Sequence, residues 1–302
     1  MQRNMIALTI LTLIILPIAS ASLVGDLWSE FTGQATSEEV GLKINVTGGN
    51  APTVEILEGT ITDVSAGLNE APSLTTVSLA VKITDQEGLG NINDSTIWAV
   101  FTKSGEETRS ISCIRDNPKD TEYSKTFNCN VEMFWWDSPG TWRINASAAD
   151  INNNYAENTS ITFNVGATAG FTAYPEEIIW AAINPGATDE TAINWLVLNN
   201  TGNIDRALQV NATNLLGETD NTKILLANDF SIDINAGCAG TGMSHLAYTP
   251  IAGANLPRGD FRLNDLSTGQ EELFFCLNRV GQDITEQTYS TNQEGSWTVK
   301  IA

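Results

Sequence analysis

Histidine occurs once in these 302 residues, at His245, and basic residues are scarce: 15 Lys and Arg stand against 36 Asp and Glu, a formal net charge of −21. A surface this acidic repels nucleic-acid phosphates and anionic lipid headgroups, so nucleic-acid binding is excluded first. The single histidine sits in "GTGMSHLAY", beside Ser244 but outside any G-x-S-x-G elbow. The chain has no H-E-x-x-H, no Gly-rich phosphate loop, no G-x-G-x-x-G and no C-x-x-C pair. Nothing singles out two of its carboxylates as a glycosidase pair. We therefore expect no enzyme. Helical periodicity is also missing from everything beyond the N-terminal leader.

One long apolar run is present. "MQRNMIALTILTLIILPIASAS" has a basic residue at Arg3, an apolar stretch from Ile6 to Ile18 and an A-x-A pattern at Ala19–Ala21. It reads as a signal peptide over residues 1–22, cleaved near Ser22 or Leu23. The competing reading is a retained anchor, because no charge follows until Asp26 and Ile6 to Gly25 is just long enough to span a bilayer. Any membrane attachment would run through this segment alone.

Cysteine is sparse but even in number, with Cys113 near Cys129 and Cys238 near Cys276. In an exported chain such a set invites disulfides. Sequence allows three pairings, and the within-domain one is the economical choice. N-x-S/T sequons at Asn45, Asn93, Asn145, Asn158, Asn199 and Asn211 permit glycosylation without arguing for it.

Nearly every periodic segment has period two. Val77, Leu79, Val81 and Ile83 alternate with polar or small residues; so do Phe127, Cys129 and Val131, then Trp142, Ile144, Ala146 and Ala148, then Ile161, Phe163 and Val165. Gly, Pro, Asn and Asp separate these runs. The pattern predicts an antiparallel sandwich of about seven strands over residues 51–166. A second all-β unit is expected over 167–302, marked by Ile193, Trp195 and Val197, then Leu208 and Val210, Phe230 and Ile232, Leu273 and Phe275, and Trp297 and Val299. A long irregular connection is expected from Ala236 to Gln270. Residues 23–50 form a linker in which Val40, Leu42, Ile44 and Val46 alternate, as a first strand, a tether, or a strand donated to a neighbouring subunit. The fold class is thus all-β: a signal or anchor helix followed by two β-sandwich domains.

Two sets of residues are candidates for binding. If the strands ending at Thr84 and Ala149 are B and F of an immunoglobulin-like order, the loops after them share one end of the sandwich. "TDQEGLGNIND" and "ADINNNYAEN" would then bring together Asp85, Glu87, Asp94, Asp150, Asn152 and Asn154, oxygen donors suited to calcium. The alternative is plain turn chemistry, since Asp and Asn bond their local backbone at strand ends. Tyr155 and Ile161 stand where a calcium loop of the EF-hand type needs glycine and glutamate. The second set is Trp135 and Trp136. In a strand they would face opposite ways, leaving one to stack on a sugar ring, anchor a protein contact, or pack beneath Pro139 or the second domain.

"SPGTWRINASAADINNNYAENTSITFNV" resembles the last two strands of bacterial and archaeal Ig-like surface domains, the group that includes polycystic-kidney-disease-type repeats. Pro139, Gly140, Thr141 and Trp142 match their P-G-T-Y turn, and Ala148, Asp150 and Asn154 match the A-x-D strand end and the turn after it. The repeat's W-D-F-G-D-G element is absent, so the resemblance is to the wider Ig-like group and covers residues 51–166. "IIWAAINPGATDETAINWLVLNNTGN" is similar to the opening of secreted β-sandwich modules with an N-T-G-N turn, found in prokaryotic surface and fibre proteins. The resemblance implies an exported structural or adhesive protein, extracellular or on the cell surface. Its partners would be other surface proteins, further copies of itself, or glycans. No cofactor is required by this reading, and calcium, from the loop residues above, is the one candidate. A carbohydrate-binding module pair is the second reading and a secreted hydrolase the third.

Overall fold

The computed structural model describes residues 49–263 and 266–302. The leader at 1–22, the Val40–Val46 alternation and Asn45 lie outside the described residues.

The first half has eight strands: β1 (Thr53–Leu57), β2 (Thr75–Thr84), β3 (Trp98–Thr102), β4 (Arg109–Ser112), β5 (Ile114–Arg115), β6 (Ser124–Met133), β7 (Gly140–Ala149) and β8 (Tyr155–Val165). They form two four-stranded antiparallel sheets, ordered β1-β2-β6-β5 and β4-β3-β7-β8. The alternating residues turn inward as their period dictates: Val77, Leu79, Val81, Ile83, Phe127, Val131, Trp142 and Ile144 are buried in one core. The chain leaves one sheet at Ser112 and joins the other at Ile114. Cys113, at that crossing, is bonded to Cys129 on β6.

The second half follows with β9 (Phe171–Tyr174), β10 (Thr188–Thr191), β11 (Leu196–Asn200), β12 (Arg206–Asn211), β13 (Leu215–Gly217), β14 (Ile224–Leu225), β15 (Phe230–Asp233), β16 (Thr241–Gly242), β17 (Tyr248–Leu256), β18 (Gln270–Arg279), β19 (Tyr289–Ser290) and β20 (Thr298–Ile301). Its largest sheet runs β16-β15-β18-β11-β9, with β10 also on β18, and β17-β12-β20 makes another. Leu198, Leu208, Phe230, Leu256, Leu273 and Phe275 belong to a second core. Cys238 is bonded to Cys276 on β18. Both disulfides match an oxidising compartment. Helical structure among the described residues is limited to 3₁₀ turns, and no helix there is long and apolar enough to cross a membrane.

Three expectations are corrected. The connection expected to be irregular from 236 to 270 contains β17, whose buried Ile251, Ala254 and Leu256 change parity across Ala252 and Gly253, where its register with β12 shifts, so its alternation is masked. Along β11 and the residues leading into it the buried parity is the other one: Leu198 is in the core, while Ile193 and Trp195, just before the strand, are exposed. "INWLVLNN" is apolar at both parities, so the pattern cannot decide which face turns in. Trp135 and Trp136 lie beyond the end of β6, in a turn rather than a strand.

Candidate functional site

The loops after β2 and β7 do meet. The Asn91 side-chain amide donates to Asp85 Oδ2 at 3.0 Å and to Asp150 Oδ2 at 3.3 Å, bridging two segments 59 residues apart. Asp150 Oδ1 accepts from the backbone N–H groups of Asn152 and Asn154, each at 2.8 Å, and Asn154 Nδ2 reaches Oδ2 at 2.7 Å. The same Nδ2 donates to the Gly49 carbonyl, while Asn50 N–H donates to Glu87. Asp85 and Asp150 are both buried.

The two aspartates titrate in opposite directions. Burial pushes the Asp150 carboxyl up, but the donors on Asn154, Asn152 and Asn91 outweigh it and hold it below the usual range. Burial also pushes Asp85 up, and there the neighbouring Glu87 carboxyl adds to the effect, so Asp85 lies above its ordinary value. Gly49 carbonyl, Asp85, Glu87 and Asp150 are the oxygens that could hold a calcium ion. All four aspartate oxygens already accept hydrogen bonds from amides, the arrangement of a local turn. Asp94 faces elsewhere, paired with Lys125 at 2.5 Å and Arg115 at 3.3 Å. The Asn152 side chain is exposed.

Trp135 is 1% exposed. The turn that carries it is closed by Asp137, whose Oδ2 accepts the Phe134 N–H at 2.8 Å. Asp137 is itself held by the buried Arg109, with Nη2 2.5 Å from Oδ1, and the guanidinium lies 4.3 Å from the Phe134 ring centroid. Beyond this turn stands the second half of the chain. Phe261 is 6.0 Å from Trp135 between centroids, and the Arg262 guanidinium lies about 5 Å from both indoles. Arg258 donates to the Trp136 carbonyl at 2.7 Å. The tryptophans are thus part of a joint: Trp135 is closed off within it, and Trp136 is half-buried beside Arg262.

A second joint was not anticipated. In "NNTGN", Asn200, Thr201 and Asn203 are all buried. Asn203 Nδ2 donates to the Gly166 carbonyl at 3.0 Å, and its Oδ1 accepts the Thr168 N–H at 2.7 Å. Thr201 accepts the Ala71 N–H on its carbonyl and donates its hydroxyl to Glu70. Thr168 Oγ1 both accepts from the Leu68 N–H and donates to its carbonyl, each at 2.9 Å. The backbones approach too closely for a side chain: a Cβ on Gly202 would lie 2.2 Å from the Thr168 carbonyl oxygen, and one on Gly166 equally close to that of Ser65. Buried Asn and Thr in a turn were the available signal, but sequence shows no partner for them.

Of the sequons, Asn199 is buried and accepts from Gln270 Nε2 at 2.8 Å. Asn158 donates to the Val54 carbonyl and Asn145 to Glu157. Asn93 caps a 3₁₀ turn through its side-chain oxygen, and Asn211 is half-buried on β12. His245 accepts the Asn214 N–H on Nδ1 and among the described residues has only Glu294 as an ionic neighbour, at 3.6 Å. Asp189 approaches Cys238 and Cys276, but both sulfurs are spent in the disulfide and offer no thiolate to a metal. No protein-family model and no curated protein matches this chain.

Proposed function

We propose that this chain is an exported structural or adhesive protein of the cell surface, working by protein contact on an Ig-like scaffold. With β1, β2, β6 and β5 taken as A, B, E and D, and β4, β3, β7 and β8 as C′, C, F and G, the strand order supports that scaffold. The observation that carries the function is the double joint. Two separate contacts, at Trp135–Arg262 and at Glu70–Thr201, bind both cores together, as suits a part that holds surfaces at fixed positions. The disulfides suit an extracellular site. The carbohydrate-binding reading has less support, since Trp135 is buried and Trp136 lies half-buried against Arg262. Calcium is not needed for the proposed role.

The test is antibody labelling of intact source cells against residues 167–302, followed by cleavable crosslinking on those cells. Surface label and a discrete protein adduct are expected. Label confined to lysed cells, or an adduct consisting of glycan alone, would overturn the proposal.

A further inference from the structure

The reversed parity of β11 puts an aromatic surface outside the second half. Leu196 pairs with Leu273, which sets Trp195 beside Phe274; their centroids are 5.9 Å apart and their planes 28° apart. Val197 pairs with Tyr174 on the other side. Trp195 is 44%, Tyr174 50% and Ile193 63% exposed. The Ile193 N–H donates to the Ile179 carbonyl, which brings exposed Ile179 to the border. Scattered apolar residues on a surface need no explanation, but a contiguous set does.

Two further features say what would cover it. The first is charge. Glu272, opposite Val197, holds the Trp195 indole N–H at 3.0 Å. Asp233 is paired in register with Phe274, and exposed Glu176 and Glu177 follow Tyr174. Among the described residues none of these four carboxylates has a salt bridge. The second is an edge. β9 ends its sheet and bonds only to β11 among the described residues, leaving one side of its backbone for another strand.

We infer that the β9 edge and the Trp195–Phe274–Tyr174 face bind an extended, lysine- or arginine-bearing segment of a partner protein. The backbone of such a segment continues the sheet, its cations meet the four carboxylates and the ring faces, and its apolar side chains cover the rest. A second copy of this chain fits poorly, since it brings the same acids and a net charge of −21. The chain's own Val40–Val46 has one cation, Lys43, behind Glu38 and Glu39. The inference rests on the proposed contact function and names its surface.

The experiment titrates the full chain with a short alternating lysine–valine peptide, a glutamate–valine counterpart, a lysine–valine peptide N-methylated at alternate amides, and dextran. Saturable binding of the first alone is expected. Trp195→Ala should weaken it about tenfold or more, the range of an aromatic hot spot. Glu176→Gln/Glu177→Gln should weaken it and flatten its salt dependence, whereas Glu58→Gln/Glu132→Gln, equal in charge but on the first half, should not. Equal loss in both double variants reduces the effect to net charge and overturns the inference. So does binding that survives N-methylation or Trp195→Ala. Dextran binding lost in Trp195→Ala would overturn both this inference and the contact function. A failed peptide titration beside a discrete surface crosslink would sink the inference alone.

Discussion

Arg258 reaches from the second half of the chain to Glu106 in the first, with Nη2 2.6 Å from Oε1 and Nη1 3.1 Å from Oε2. The same Nη1 donates to the Trp136 carbonyl, so one guanidinium fastens both the acid and the tryptophan turn. Arg258→Ala should cost about 1.5–3 kcal/mol, the range for hydrogen bonds to a charged group. The check is denaturant unfolding of the two halves followed separately, with the Trp135–Trp136 fluorescence expected to change before the second core opens.

Arg109 and Asp137 form a buried ion pair in which burial pulls the arginine down and the Asp137 and Glu107 carboxylates together more than restore it. Removing one partner leaves the other charge uncompensated. Arg109→Ala is expected to destabilise by about 3–5 kcal/mol, and a paired replacement by apolar residues of similar volume by much less. Calorimetric melting of the single and double variants distinguishes the two.

The loop pair makes a pH prediction with two signs. Asp150, held low, contributes stability above the unfolded aspartate pKa of about 3.9, which is lost as pH falls. Asp85, held high, does the reverse: its contribution is full below about 3.9 and is lost as pH rises through its folded value. Asp85→Asn should therefore raise the melting temperature near neutrality and flatten its decline with pH, whereas Asp150→Ala should lower it. Calcium and chelator should give the same melting temperature. A rise with calcium that disappears in Asp85→Asn would assign the loops to metal binding instead.

Reduction separates the disulfides by loop length. With sequence separations of 16 and 38, the chain-entropy estimate gives about 3 and about 4 kcal/mol for Cys113–Cys129 and Cys238–Cys276. Cys238→Ser/Cys276→Ser should unfold the second core at lower denaturant and leave the first unchanged.

Gly202→Ala places a methyl against the Thr168 carbonyl and should cost about 1–3 kcal/mol, as overpacking does. Limited proteolysis near 166–170 should accelerate with it. Slow cleavage in the variant would mean that the second joint does not hold the halves.

The sequence displayed the first half well because its strands alternate cleanly: Val77 to Ile83 on β2 and Trp142 to Ala148 on β7 each offer a single apolar parity. It pointed to the wrong face where both parities were apolar, as at Ile193 to Leu198. There the core chose Leu198, and Trp195 went to solvent. The meeting of Asp85 and Asp150 was legible from strand order. Asn91, which joins them, was not, because an isolated asparagine in a Gly-containing loop has many ordinary explanations. The double joint depends on contacts such as that between Arg258 and Glu106, 152 residues apart, and no local pattern encodes them.

A body fixed at one point can swing in any direction, but fixed at two it keeps only rotation about the line between them. The Trp135–Arg262 and Glu70–Thr201 contacts have this effect on a twist about any other axis. A twist applied to one half is therefore passed to the other instead of being absorbed by a swivel. If this protein is tethered at one end and held by a partner at the other, it will carry torque as well as tension.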